Sequence, residues 1–181
     1  MTRYLASLLV ASLAVASTTK VAAFSLNMKA AAPATSTKLP RIIQGGMGIR
    51  ISSWNLAREV SKKGELGVIS GTCMDTILIR SLQKGDPDGA MRRALATFPD
   101  QDMVARIMDK YYVEGGKPDH DKFKHLPQWS LNPQQSLLEA TILANYCEIW
   151  LAKHEDDGTP TGGLVGMNLL TYVHYIIDGF H

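Results

Sequence analysis

The sequence predicts an α/β domain built on a parallel sheet, and three observations carry that reading. Short β-prone runs stopped by glycine or a polar cluster recur at 42–43, 66–69 and 164–170, and segments with helical spacing of apolar residues lie between them. The length of 181 residues, with 45% hydrophobic and 20% charged residues, suits one globular domain able to bury a core. Strands separated by helical segments are joined by crossovers, which favours parallel pairing in a sheet that is either open or closed.

Each element has its own signals. Ile42-Ile43 before Gln44-Gly45-Gly46 reads as a buried strand stopped by glycine. Ser52 or Ser53 can cap the helix that follows, whose apolar positions Trp54, Leu56, Ala57 and Val60 share one side, and Gly64 ends it. Leu66-Gly67-Val68-Ile69 forms a second strand, closed by Ser70-Gly71-Thr72, which completes a β-α-β unit. Asp75 is a plausible cap for a helix over 76–83, where Ile77, Leu78 and Leu82 recur at helical steps.

Between Gly85 and Pro133 the simple alternation stops, and the segment reads as two helices and a polar loop inserted after the second strand. Pro133 suits the start of a long helix through Leu138, Ile142 and Tyr146, although CEIWLA within it also alternates like a strand. After the turn-forming DDGTPTGG, Leu164-Val165-Gly166-Met167-Asn168-Leu169-Leu170 is the third strand, with Asn168 near its C-terminal end.

Residues 1–38 stand apart from this pattern. Arg3 precedes an apolar run over 4–16, and Val21 and Ala23 suit signal peptidase, so 1–23 reads as a signal peptide too short for a convincing membrane span. Residues 24–38 are rich in Ala, Ser and Thr, carry Lys29 and Lys38, and contain no acidic residue, the composition of a transit peptide. Together they resemble the bipartite plastid-targeting presequences of algae with secondary plastids; an ordinary secretory signal followed by a flexible linker is the alternative.

The net charge of +2 owes most to this end, because the first acidic residue is Glu59; the body is nearly neutral and has no basic stripe for nucleic acid. Cys73 and Cys147 are too few for a disulfide framework or a zinc site and read as reduced thiols, although Cys73 follows a loop that could be functional. His120, His125, His154, His174 and His181 show no metal-ligand spacing, so the sequence implies no metal. No membrane contact is expected once the signal is removed.

In parallel α/β folds ligands sit at the C-terminal ends of the strands, where all three glycine or polar clusters fall. Gly45-Gly46-Met47-Gly48 is neither a dinucleotide fingerprint nor a P-loop, so on spacing alone it is a tight turn or a ligand-facing turn. Met47 reads equally as packing.

IIQGGMGIRISSWNLAREVSKKGELGVISGTCMDT, GDPDGAMRRALATFP, YYVEGGKP, LANYCEIWLAKHEDDG and VGMNLL together resemble the nitronate monooxygenase family of FMN-binding TIM barrels. The resemblance covers 39–170. It implies a partial (β/α)8 barrel comprising about the first three βα units, with a helical insertion after the second strand. It implies FMN as cofactor and, in the complete enzyme, oxidation of alkyl nitronates with O₂; related flavin-dependent reductases act on enoyl thioesters.

Carried over position by position, Gly46, Met47 and Gly48 match the first-strand loop against the flavin. Ser70, Gly71 and Thr72 match the second-strand loop, and Asn168 matches the asparagine whose side chain hydrogen-bonds the flavin. After VGMNLL the pattern is lost: 171–181 reads as a divergent tail, and no catalytic residue can be assigned. The expectation is an N-terminal barrel portion whose open edge invites self-association, and a non-catalytic fragment or interaction module is the rival.

Overall fold

Three parallel strands organise the chain: β1 (Ile43–Gln44), β2 (Leu66–Ser70) and β3 (Leu164–Asn168), hydrogen-bonded in that order. Leu66 pairs with Ile43 on one side and Leu164 on the other, and the ladder continues to Ser70 opposite Asn168. The computed structural model describes residues 39–169; the expected signal and transit segments at 1–38, Leu170, the expected divergent tail at 171–181, His174 and His181 lie outside the described residues. The expected α/β class and parallel sheet are present, with six helices and three strands among the described residues.

After β1 the chain makes one irregular turn, α1 (Gly48–Ile51), in which Arg50 adopts φ +62°, and then enters α2 (Trp54–Lys62). The exit from α2 uses Gly64 in the left-handed conformation, φ +78°, as the sequence predicts. Gly67 in β2 lies against the backbone of Ala57 so closely that any Cβ there would overlap it. Helix and strand approach one another only because that position has no side chain.

Cys73, at φ +55°, turns the chain from β2 into α3 (Met74–Gln83). Asp75 is therefore not the cap that the sequence predicts. It sits in the first turn, where Oδ1 accepts from the Thr76 N–H at 2.6 Å and Oδ2 from Trp129 Nε1 at 3.2 Å. The inserted helices are α4 (Ala90–Leu95) and α5 (Gln101–Tyr111). Asp86, buried in the GDPDG turn, accepts from the backbone N–H groups of Met91 and Arg92, which start α4, at 3.2 and 2.9 Å. Asp100 caps α5 through the Met103 N–H at 2.9 Å.

The chain over 112–134 has no helix or strand, and Gln83 holds it. The buried Gln83 amide accepts from the Lys124 N–H at 2.5 Å and donates to the Lys124 carbonyl at 3.2 Å, replacing a backbone partner on both counts. The long helix α6 (Gln135–Lys153) then crosses the assembly and packs on α2, α3, α4 and α5. CEIWLA is helical there, with Cys147, Leu151 and Ala152 buried in the core.

The two faces of the sheet differ. Gly67 and Ile69 of β2, with Val165 and Met167 of β3, face the helices and join the core. Leu66, Val68 and Gly166 share the opposite face, on which Val68 is buried. Ile43 at 64% and Leu164 at 49% are exposed there, beside Leu66 in the register.

Candidate functional site

The loop after β1 is shaped by two polar side chains that the sequence offers no strong reason to choose. Gln44 Oε1 accepts from the Val68 N–H at 3.3 Å, and its Nε2 donates to Ser52 Oγ at 2.8 Å. Ser52 Oγ accepts from the Met47 N–H at 2.9 Å and donates to the Gly45 carbonyl at 3.1 Å, while the Ser52 carbonyl accepts from the Ser70 N–H at 2.9 Å. Buried Ser52 is thus a buckle across the loop rather than a helix cap.

Ser53 occupies the cap position of α2 but makes no capping bond with its side chain. The cap comes from α6 instead: Glu148 accepts from the Trp54 N–H at 2.8 Å, placing a carboxylate at the positive end of the α2 dipole. Burial pushes the Glu148 carboxyl up to about 7, opposed by the Trp54 hydrogen bond and by the charge of Arg50. Burial likewise pushes the adjacent Cys147 thiol well above its usual range, so it is an inert core thiol.

The predicted residues converge at the C-terminal edge of the sheet. A Cβ on Gly46 would overlap the side-chain amide of Asn168, and a Cβ on Gly71 would overlap its carbonyl. The Gly71 N–H donates to that carbonyl at 2.8 Å. Asn168 is exposed, and its amide makes no side-chain hydrogen bond among the described residues. Ser70 Oγ and Thr72 Oγ1 are 3.1 Å apart on the second loop. Met47 is 49% exposed beyond the first loop, and Gly48 adopts φ +49° with open space beside it.

Gly46, Gly71 and Asn168 therefore form the centre of the cluster. Ser70 and Thr72 flank it on the second loop, and Met47 and Gly48 extend outward from the first. The space that a Cβ would take at Gly46 and Gly71 is filled by Asn168, so the two glycines let the first and second loops close onto the end of β3, where the exposed Asn168 amide remains available.

A cavity of about 510 Å³ opens beside this cluster. Gly71, Cys73 and Leu169 line the end nearest the strands, and α3, α6 and the loop over 123–129 form the rest. The exposed Cys73 thiol thus stands at a cavity rim, a placement its sequence position left open. The described histidines have local roles: His154 stacks on Trp150 and bonds its carbonyl, His125 bonds the Leu126 carbonyl, and His120 lies beside Asp121. Among the described residues, no group of three His, Cys, Asp or Glu side chains could hold a metal, and no helix is long and apolar enough to cross a membrane.

Sequence reasoning missed the loop-shaping roles of Gln44 and Ser52, the latter read only as a possible helix cap, and missed Glu148. The first two carry only the weak signal of polar residues flanking glycines. Glu148 acts on Trp54 across 94 residues, and nothing in local sequence points to that pairing. Comparisons with protein-family models, with curated proteins and with solved structures find no match for this chain.

Proposed function

We propose that this chain forms one wall of an FMN site in a nitronate monooxygenase-like oxidoreductase, as the first βα units of a partial (β/α)8 barrel with α4 and α5 inserted after the second strand. The observation that carries the proposal is the convergence of Gly46, Gly71 and Asn168 at the C-terminal edge of a parallel sheet. Those three are among the seven positions that the family resemblance assigns to the flavin, and they lie more than 120 residues apart along the chain at the extremes.

FMN, when bound, supplies the redox chemistry that oxidises an alkyl nitronate with O₂ to a carbonyl compound and nitrite. The chain's own residues bind and orient. Gly46 and Gly71 let both loops close onto Asn168, whose exposed amide would hydrogen-bond the polar edge of the ring. Ser52 and Gln44 hold the first loop at the height of the second. Met47, Gly48, Ser70 and Thr72 complete the wall. An enoyl thioester is the alternative substrate for the same cofactor, and plastid delivery by residues 1–38 belongs to the same proposal.

Purification of the full chain tests this directly. Stoichiometric FMN with a flavin absorption spectrum supports the reading, and a folded protein that takes up no FMN ends it. Nitrite release from an alkyl nitronate, against NAD(P)H oxidation driven by an enoyl thioester, separates the two substrates.

The exposed apolar residues on this sheet face favour a second reading. Exposed Ile43 and Leu164 make a surface that a second chain would cover, so the protein is proposed to associate through this face, as an interaction module if FMN is not bound. Sedimentation at increasing concentration tests it, and a monomer throughout rules it out.

A further inference from the structure

The cavity beside the glycine wall has a chemistry that the flavin reading leaves unused. Its walls are largely apolar: Met74 and Ile79 come from α3, and Phe123, Leu126 and Trp129 from the loop. Most polar groups that line it already have protein partners. Both Asp75 oxygens accept hydrogen bonds, the Gln83 amide is taken by the Lys124 backbone, and Thr141 donates to the Leu137 carbonyl at 2.8 Å. Lys124 Nζ donates to the Lys110 carbonyl at 2.6 Å.

Arg80 is different. Its guanidinium lies 5.2 Å from the Phe123 ring centre and enters no salt bridge with any carboxylate among the described residues. The remaining polar groups of the lining, Thr76, Gln128 and Asn145, are few against its apolar walls, so a hydrocarbon chain, which has no hydration to lose, suits it better than a ligand rich in hydroxyls. A carboxylate matches the planar donor fork of Arg80 with two parallel hydrogen bonds.

We propose that this cavity binds an amphipathic organic anion, an unbranched aliphatic carboxylate whose head pairs with Arg80 and whose chain lies along Ile79, Met74 and Trp129 toward Gly71. Its volume, about 510 Å³, falls within the roughly 300–1,000 Å³ typical of small-molecule sites. Arg80 stands six residues along α3 from Met74, about 9 Å at the helical rise, which separates the charged end from the glycine wall by the length of such a chain. The proposal rests on the flavin reading only where the far end of the chain meets Gly71; binding itself requires no flavin.

The test is titration of the full chain with decanoate, below its micelle concentration, followed by calorimetry and by Trp129 fluorescence, with Trp129→Phe as the optical control. Saturable binding is expected, with decan-1-ol at least tenfold weaker. Arg80→Gln should reduce decanoate to the affinity of the alcohol, and Arg80→Lys should restore part of it. Leu126→Trp, which narrows the cavity, should weaken both ligands. A folded protein that does not bind decanoate saturably, or binds it equally well after Arg80→Gln, overturns the proposal. Repeating the titration with FMN present separates the two readings: decanoate binding without FMN uptake removes the flavin and leaves the cavity assignment, and FMN uptake without decanoate binding does the reverse.

Discussion

The two faces of the sheet divide the work of the molecule. On the covered face Ile69 is fully buried and Gly67 meets the Ala57 backbone, so apolar burial and close approach hold β2 to α2, α3 and α6. On the open face Ile43 and Leu164 remain exposed, and the strands end in glycine loops and Asn168. A face sealed by helices stabilises the fold, and a face left open is available to a ligand or a second chain. Substitutions that act on one face and spare the other break or sharpen this contrast.

The largest effect belongs to the covered face. Gly67→Val places a side chain into the α2 backbone, which no rotamer can avoid, and should destabilise by about 3 kcal/mol. Denaturant unfolding measures it, and a loss under 1 kcal/mol would show that α2 can move away from the sheet.

The next effect is a pH dependence at the contact between α2 and α6. The buried Glu148 carboxyl has a folded pKa raised from 4.5 to about 7, so between those values the folded state holds a proton that the unfolded state has released. Stability is therefore greatest below about 4.5 and falls as pH rises through about 7, by on the order of 2–3 kcal/mol over the window. Glu148→Gln retains a side-chain oxygen for the Trp54 N–H and should flatten this slope. A slope unchanged in the variant would assign it to another group.

A smaller effect separates binding from folding. On the proposed flavin reading, Asn168→Ala should weaken FMN about tenfold, near 1.4 kcal/mol, while unfolding of the unliganded protein moves little. Equal losses in both measurements would make Asn168 a structural residue. The smallest expected change in stability comes from Ile43→Ser on the open face, within about 0.5 kcal/mol. It should instead lower self-association by sedimentation, and a large loss of stability would mean that the open face is covered within the chain.

Much of the fold was legible in order. Gly64 and Gly71 punctuate where the strand and helix patterns say they should, and β2, β3, α4 and α5 follow local periodicity. Caps were less legible. Asp75 looks like a cap but lies inside α3, because Cys73 makes the turn in the left-handed conformation. Asp86 could have been found from GDPDG, where an acidic residue precedes a turn and a helix start. The ambiguity of CEIWLA between helix and strand was settled by its surroundings, since α6 is apolar on most sides and is packed against four other helices.

By itself the sequence determined the alternation of strand and helix and placed glycine and asparagine at strand ends, because periodicity and backbone preference act over a few residues. Only the tertiary structure decided that Gly46, Gly71 and Asn168 meet, that Glu148 caps α2, and that Gln83 tethers a loop 41 residues away. Those contacts depend on the register of a parallel sheet and the placement of α6, and both are chosen by the burial of the whole core rather than by any local segment.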